Sequence, residues 1–171
     1  MAGKGTVMTV PVSEKNFLER IASHIPGLAG YREREGRRET DRRIREFLAG
    51  RLDEGRAGLM ALRNQATDAG EFKALDGIGR LDRSLQKSVS SLRYADYGFS
   101  GVFDQLKIRE AELDHICADD SSLVTDVVAL ADALRAATAG DGSTLIALAT
   151  AAEQLDLKIA RRREIFEKPT A

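Results

Sequence analysis

Two histidines and one cysteine are the residues of this sequence best suited to nucleophilic or metal chemistry. His115 and Cys117 are two positions apart on a predicted helix and therefore point to different faces. A structural zinc site needs four ligands of these types, and a Cys–His catalytic pair would need the fold to bring His24 to Cys117. We therefore interpret Cys117 as a small buried residue and predict no catalytic residue.

An acidic cluster before residue 121 offers oxygen ligands of the kind that bind divalent cations. Its members are Glu110, Glu112, Asp114, Asp119 and Asp120. The cluster lacks the alternating Asp or Asn, the central Gly and the final Glu of a calcium-binding loop. We interpret it as a solvated face and predict no metal site and no cofactor.

Aromatic residues gather at a bend that begins at Tyr94. Tyr94, Asp96 and Tyr97 either form a polar pocket for a ligand or satisfy one another within a packed bend. The glycine-bearing stretches at 98–101 and 140–143 follow no predicted strand and lack the Lys-Ser/Thr ending of a phosphate loop, so we predict that both are turns. An enzyme or ligand binder acting at the Tyr94–Tyr97 bend stays an alternative.

Arginines and acids alternate through the start of a long predicted helix, Glu33 to Thr67. So many arginines on one helix would suit phosphate groups, but the acids among them cancel most of the field and the net charge is −1. We predict no nucleic-acid partner and instead expect this face to contact a protein. The predicted partner-binding residues are Arg34, Arg38, Arg42 and Arg45.

The elements that position these residues are predicted to be helices. The sequence is 43% hydrophobic but only 5% aromatic, and its three prolines lie near the ends, which favours long helices. We predict an all-α fold, an elongated antiparallel bundle of four to five helices with a long central hairpin. Residues 1–12 are predicted to form a flexible tail and residues 13–168 a single domain.

Apolar residues spaced by three and four predict one buried stripe on each helix and give the helix bounds. The stripe of the second helix is Ile44, Leu48, Leu52, Leu59, Leu62 and Ala66, and that of the third is Phe72, Leu75, Ile78, Leu81, Leu85, Val89 and Leu92. The predicted bounds are Ser13–Ile25, Glu33–Thr67, Glu71–Tyr94, a helix from Lys107 to Ala137 with a break or kink near Asp119-Asp120-Ser121, and Thr144–Phe166. Gly70 is predicted to end the second helix in a left-handed conformation. Gly50, Gly55 and Gly58 within that helix indicate either close helix contact or a kink.

The first helix is amphipathic and provides an alternative function. Phe17, Leu18, Ile21 and Ile25 share one face that either packs on the core or lies on a membrane surface. No run of residues reaches the length of an apolar membrane span. A single cysteine gives no sign of an oxidising compartment, so we expect a cytoplasmic location, with the inner face of the membrane as the alternative.

Two segments resemble a known group of proteins. Ile25-Pro26-Gly27 to Gly30-Tyr31, followed by Arg37-Arg38-Glu39 and Asp41, is the first, and Leu92 to Phe99 is the second. Both are similar to segments of uncharacterised small helical proteins that accompany phage-shock-type and flotillin-like bacterial membrane-stress proteins. The resemblance implies an accessory role in a membrane-maintenance assembly and brings no catalytic residues with it.

The sequence as a whole predicts a non-enzymatic interaction or scaffold protein. An apolar strip left over after the bundle closes, flanked by the arginine-rich face, would dock a helix of a protein partner or of a second copy. A peripheral membrane-stress factor that uses the first helix is the main alternative.

Overall fold

The structure is a computed structural model that describes residues 12–28, 34–95, 110–138 and 142–167. Within these residues the chain forms helices and no strand, which confirms the all-α prediction. The helices of this part of the chain are α1 (Val12–Ile21), α2 (Arg34–Asp68), α3 (Phe72–Arg93), α4 (Glu110–Ala136) and α5 (Gly142–Glu167). Of the predicted tail over residues 1–12, only Val12 is described.

Helices α2 to α5 pack side by side in a closed ring. Helix α2 packs against α3 and α4, and α5 packs against the same two helices. Ion pairs between neighbours fix their directions. Two neighbouring pairs are antiparallel: α2 with α3, joined by Arg56–Asp82 and Arg93–Asp53, and α4 with α5, joined by Asp126–Lys158 and Asp120–Arg162. The predicted central hairpin of α2 and α3 is confirmed.

The other two neighbouring pairs of the ring are parallel. Arg51 of α2 pairs with Asp132 of α4, and Gly58, further along α2, lies against Arg135. Helices α2 and α4 therefore run in the same direction, and so do α3 and α5. As a result, α3 and α4 lie at opposite corners of the ring although they follow each other in sequence, unlike in a simple up-and-down bundle. Helix α1 packs against α4.

The apolar stripe predicted on α2 forms the centre of the core. Its side chains are at most 2% exposed, and they are Ile44, Leu48, Leu52, Leu59, Leu62 and Ala66. Burying each of the large ones contributes about 1.5–3 kcal/mol relative to leaving it in water. Their spacing of three and four places them on the side of α2 that faces the other helices, so the sequence pattern alone accounts for this part of the core.

Helix α2 ends as predicted at Gly70. Its φ of +71° is left-handed, and the amide of Glu71 donates to the carbonyl of Ala66 at 2.9 Å. This bond, from the residue after the glycine back to the last turn, is the Schellman arrangement that closes many helices. Helix α3 starts two residues later, at Phe72, so the chain reverses within a very short connection.

Helix α4 is continuous where the sequence predicted a break. Asp119, Asp120 and Ser121 all favour helix ends, yet the helix runs through them. The reason is that the Asp120 carboxylate accepts hydrogen bonds from Arg162 on α5 and is therefore not used to cap its own backbone. A second difference is at Phe72, which was predicted in the core stripe of α3 but is 77% exposed.

Two glycines of α2 lie where this helix is in close contact with α4. Close contact and a kink were the two explanations predicted for the glycines of α2, and the structure decides between them. A Cβ atom at Gly58 would lie 2.8 Å from the carbonyl oxygen of Leu134, and one at Gly55 would lie 2.9 Å from the Leu134 side chain. A Cβ at Gly50 would meet nothing within 4 Å. Contact between helices therefore explains Gly55 and Gly58, whereas Gly50 has no such requirement.

We expect Gly58→Ala to lower the free energy of unfolding by about 1–3 kcal/mol, because the added methyl group would push against the backbone of α4. Gly50→Ala is the matched control, and it should be neutral or stabilising by up to about 1 kcal/mol because alanine favours helix. Urea unfolding followed by circular dichroism measures both. Equal stability of the two variants would contradict the close contact.

Candidate functional site

Four charged side chains form a buried ion cluster inside the ring. Asp41 and Arg45 come from α2, Asp120 from α4 and Arg162 from α5, and none is more than 6% exposed. Arg45 Nε donates to Asp41 Oδ2 at 2.8 Å, and Arg162 Nη1 lies 2.8 Å from Asp41 Oδ1. Arg162 Nε and Nη2 donate to the two oxygens of Asp120 at 2.6 and 3.2 Å. Arg162 therefore connects both carboxylates.

The buried ion cluster also reaches the fourth helix of the ring. Arg45 Nη1 donates to the carbonyl oxygen of Leu92, near the end of α3, at 3.0 Å. Two carboxylates thus face two guanidinium groups, and their charges cancel within the protein. Desolvation offsets much of the attraction in such a cluster, but removing one partner leaves a buried charge uncompensated. The cluster therefore joins all four helices of the ring.

A small cleft lies beside this cluster, between α3 and α5. Its volume is about 280 Å³, and Arg45 and Arg162 form part of its lining. Lys87 and Asp156, which also line the cleft, pair at 2.7 Å. Since both arginines already face carboxylates, the cleft presents little net positive charge to an anion.

The predicted partner-binding arginines do not form one exposed surface. Arg45 is buried, so its assignment to that surface is wrong. The reason is its position one residue after Ile44 and four after Asp41, on the inner side of α2. Arg42 is exposed and pairs with Glu46 at 2.9 Å. The side chains of Arg34 and Arg38 lie outside the described residues.

The exposed charged side chains of Glu39 and Arg43, near the start of α2, bond to groups close to them. Arg43 Nε donates to Glu39 Oε1 at 2.6 Å, and this hydrogen bond lowers the pKa of Glu39 below its ordinary value. Arg43 Nη1 also donates to the carbonyl oxygen of Gly27 at 3.1 Å, which ties the turn after α1 to α2. These contacts pair Arg43 with groups of its own chain and give it a structural role.

The face of the first helix that was predicted either to pack on the core or to lie on a membrane is buried in the core at the described positions. Phe17 is 0%, Ile21 1% and Ile25 7% exposed, so in this structure they pack on the protein and are not available to lipid. The side chain of Leu18 lies outside the described residues. No helix in the described ranges is long and apolar enough to cross a bilayer.

Among the described side chains, those considered for catalysis or metal binding do not come together as a site, and the side chains of Glu110, Glu112 and Asp114 lie outside this part of the chain. Cys117 is buried in α4, His115 is exposed, and the ring of His24 lies 6.0 Å from that of Phe47. No group of three or more His, Cys, Asp or Glu side chains in the described part of the chain is placed to hold a metal ion.

One sequence arrangement bears on the metal question. Glu112 and His115 form a Glu-x-x-His arrangement. A di-iron bundle needs two such arrangements, and His24 does not provide the second, because the residue three before it is Ile21.

At the predicted aromatic bend, Tyr94 is 71% exposed, and residues 96–109 lie outside the described ranges.

An apolar groove separates α3 from α5 at the end of the bundle where both helices begin. We call it the α3/α5 groove, and its volume is about 830 Å³. The small residues Ala74, Gly77 and Ala149 are part of its lining and leave space between the helices. Phe72 and Ile146 also line it and are 77% and 71% exposed. Sequence analysis missed this site because Phe72 fits the apolar register of α3.

Comparison of the chain with protein-family models, curated proteins and solved structures gives no match. The predicted relationship to accessory proteins of membrane stress therefore stays a prediction.

We expect Arg162→Met to lower the free energy of unfolding by about 3–5 kcal/mol, because Asp120 would lose its buried partner. The matched control is Lys158→Met, which removes an exposed pair with Asp126 between the same two helices and should cost less than about 1 kcal/mol. Urea unfolding measures both variants. The double variant Asp120→Leu/Arg162→Met should recover part of the loss, and similar losses for Arg162→Met and Lys158→Met would contradict the assigned role of the cluster.

Proposed function

We propose that this chain is a non-enzymatic interaction protein that docks an amphipathic helix in the α3/α5 groove. The observation that supports this proposal is the exposure of Phe72 and Ile146 at the groove, at 77% and 71%. Moving two such side chains out of water on binding is worth about 1.5–3 kcal/mol each. The charged residues of the ion cluster, by contrast, satisfy one another inside the bundle.

The shape of the groove suits a helix. Helices α3 and α5 run parallel along its two sides, and a third helix laid between them would meet side chains spaced by three and four on both. Small residues at the groove, such as Gly77 and Ala149, leave room for large apolar side chains of the incoming helix. An apolar strip left over when the bundle closes was predicted from the sequence, flanked by the arginine-rich face of α2.

The charges around the groove also fit a helix of mixed charge. Lys73 and Arg80 line it together with Glu71 and Glu153, so positive and negative groups are equal in number. A partner helix with an apolar face bordered by both Lys and Glu, as at the edges of coiled-coil helices, would find opposite charges on either side.

A photo-crosslinking amino acid at position 146, in the full chain produced in its own cells, tests this proposal. We expect adducts whose crosslinked residue, mapped by mass spectrometry, lies on the apolar face of a helix. Adding Phe72→Glu should reduce the yield strongly, because a charge next to the groove must be desolvated when a helix docks.

The matched control carries the same crosslinker at position 60, because Met60 is 58% exposed on α2 and does not line the groove. Adducts at equal yield from positions 60 and 146, or none from position 146, would overturn the proposed docking site.

A further inference from the structure

The first half of α5 carries a surface without charge. Residues 142–152 contain no Asp, Glu, Lys or Arg, in a sequence in which 31% of residues are charged. Glu153, just after this stretch, is exposed and lines the α3/α5 groove. Six uncharged side chains of the stretch and the next turn are also exposed: Ser143, Ile146, Ala147, Thr150, Ala151 and Gln154. Leu157, one turn further, is 63% exposed. We call these seven uncharged residues the α5 strip.

The α5 strip is continuous with the α3/α5 groove. Ile146 belongs to both, and the groove brings in Phe72 from the neighbouring helix. The strip is uncharged, and it combines the polar side chains of Ser143, Thr150 and Gln154 with apolar ones. Exposed apolar side chains that adjoin a groove, as Ile146 and Phe72 do, mark interaction sites. The strip therefore extends the docking surface beyond the groove itself.

We infer that the occupant of this surface is a second copy of the chain, with α5 packed against α5 of the other copy across a two-fold axis. This inference rests on the proposed function and names its partner. At a two-fold axis each residue lies near its own copy, so a charged residue there would meet a like charge. The stretch around Ala147 and Thr150 lacks charge, and its small side chains allow two helices to approach closely.

The remaining charges agree with self-association. Lys73 and Arg80 are balanced by Glu71 and Glu153 around the groove, so the faces of two copies do not repel each other. In the arrangement that we infer, the two α5 helices are antiparallel, which places the positive pole of each helix near the negative pole of the other.

Sedimentation equilibrium of the purified full chain tests the inference. We expect a mass of twice the 18.7 kDa of one chain. Ile146→Glu should raise the dissociation constant of the dimer by at least about tenfold, because it places two carboxylates in the interface. Met60→Glu, a charge at an exposed apolar residue of α2, is the matched control and should leave the dimer unchanged.

Disulfide trapping gives a second measurement. Ala147→Cys and Thr150→Cys should each form a dimer linked by a disulfide under mild oxidation, whereas Met60→Cys should not. The native Cys117 is buried, so the wild-type chain serves as the blank. Trapping at position 60 as fast as at 147 and 150 would overturn the inferred interface.

The two proposals fail in different ways. A chain that stays monomeric in sedimentation and is not trapped at position 147 or 150 overturns the second copy as occupant. If the crosslinker at position 146 then joins a helix of a different protein, the docking function still stands. If position 146 yields no adduct with any protein, both proposals fail.

Discussion

The alignment of the bundle depends on the buried ion cluster around Arg162. The hydrophobic effect that holds the core together is not directional, because it depends on the apolar area removed from water and not on which apolar groups meet. The two hydrogen bonds from the planar Arg162 guanidinium group to Asp120 restrict a shift of α5 along α4, because both need the carboxylate in one orientation. Arg162 on α5 bonds to Asp120 on α4 and faces Asp41 on α2, and Arg45 extends the cluster to α3. One set of contacts thus fixes the relative positions of the four helices.

The two parallel sides of the ring are packed in opposite ways. On one side, Gly55 and Gly58 bring α2 so close to α4 that a methyl group would meet its backbone or side chains. On the opposite side, Gly77, Ala74 and Ala149 are also small, but α3 and α5 leave a groove there. Small residues therefore have two roles in this protein, since they allow contact on one side and open a surface on the other.

The sequence predicts the helices well because apolar spacing is a local property. The buried stripe of α2 and the left-handed Gly70 were both predicted from their neighbours in the chain. The position of Arg45 was predicted wrongly because an arginine among other charged residues suggests a surface, and its burial depends on Asp41 and Leu92. Arg162 occupies a position of α5 at which the spacing of three and four predicts an apolar residue. A charged residue at such a position is the sequence feature that could have revealed the cluster.

The groove could not be predicted for a related reason. The exposure of Phe72 depends on which helix lies beside α3, and that helix is α5, not the next helix in sequence. Periodicity shows that a side of a helix is apolar, but it does not show whether another element covers it. Fold class is therefore available from the sequence, whereas the docking surface follows from the order of helices around the ring.

The ring order also determines when the protein can become compact during synthesis. Helices α2 and α3 can pair as soon as both have left the ribosome, but the other neighbour of α3 is α5, the last of the described helices to be made. Until then, one side of α3 stays open, and Asp41 and Asp120 have no Arg162 to bond to. Until α5 has been made, the growing chain therefore exposes apolar surface and keeps its future buried carboxylates hydrated. When α5 has been made, the ring and the ion cluster can both form. The earlier helices therefore reach their final alignment only after α5 has been added.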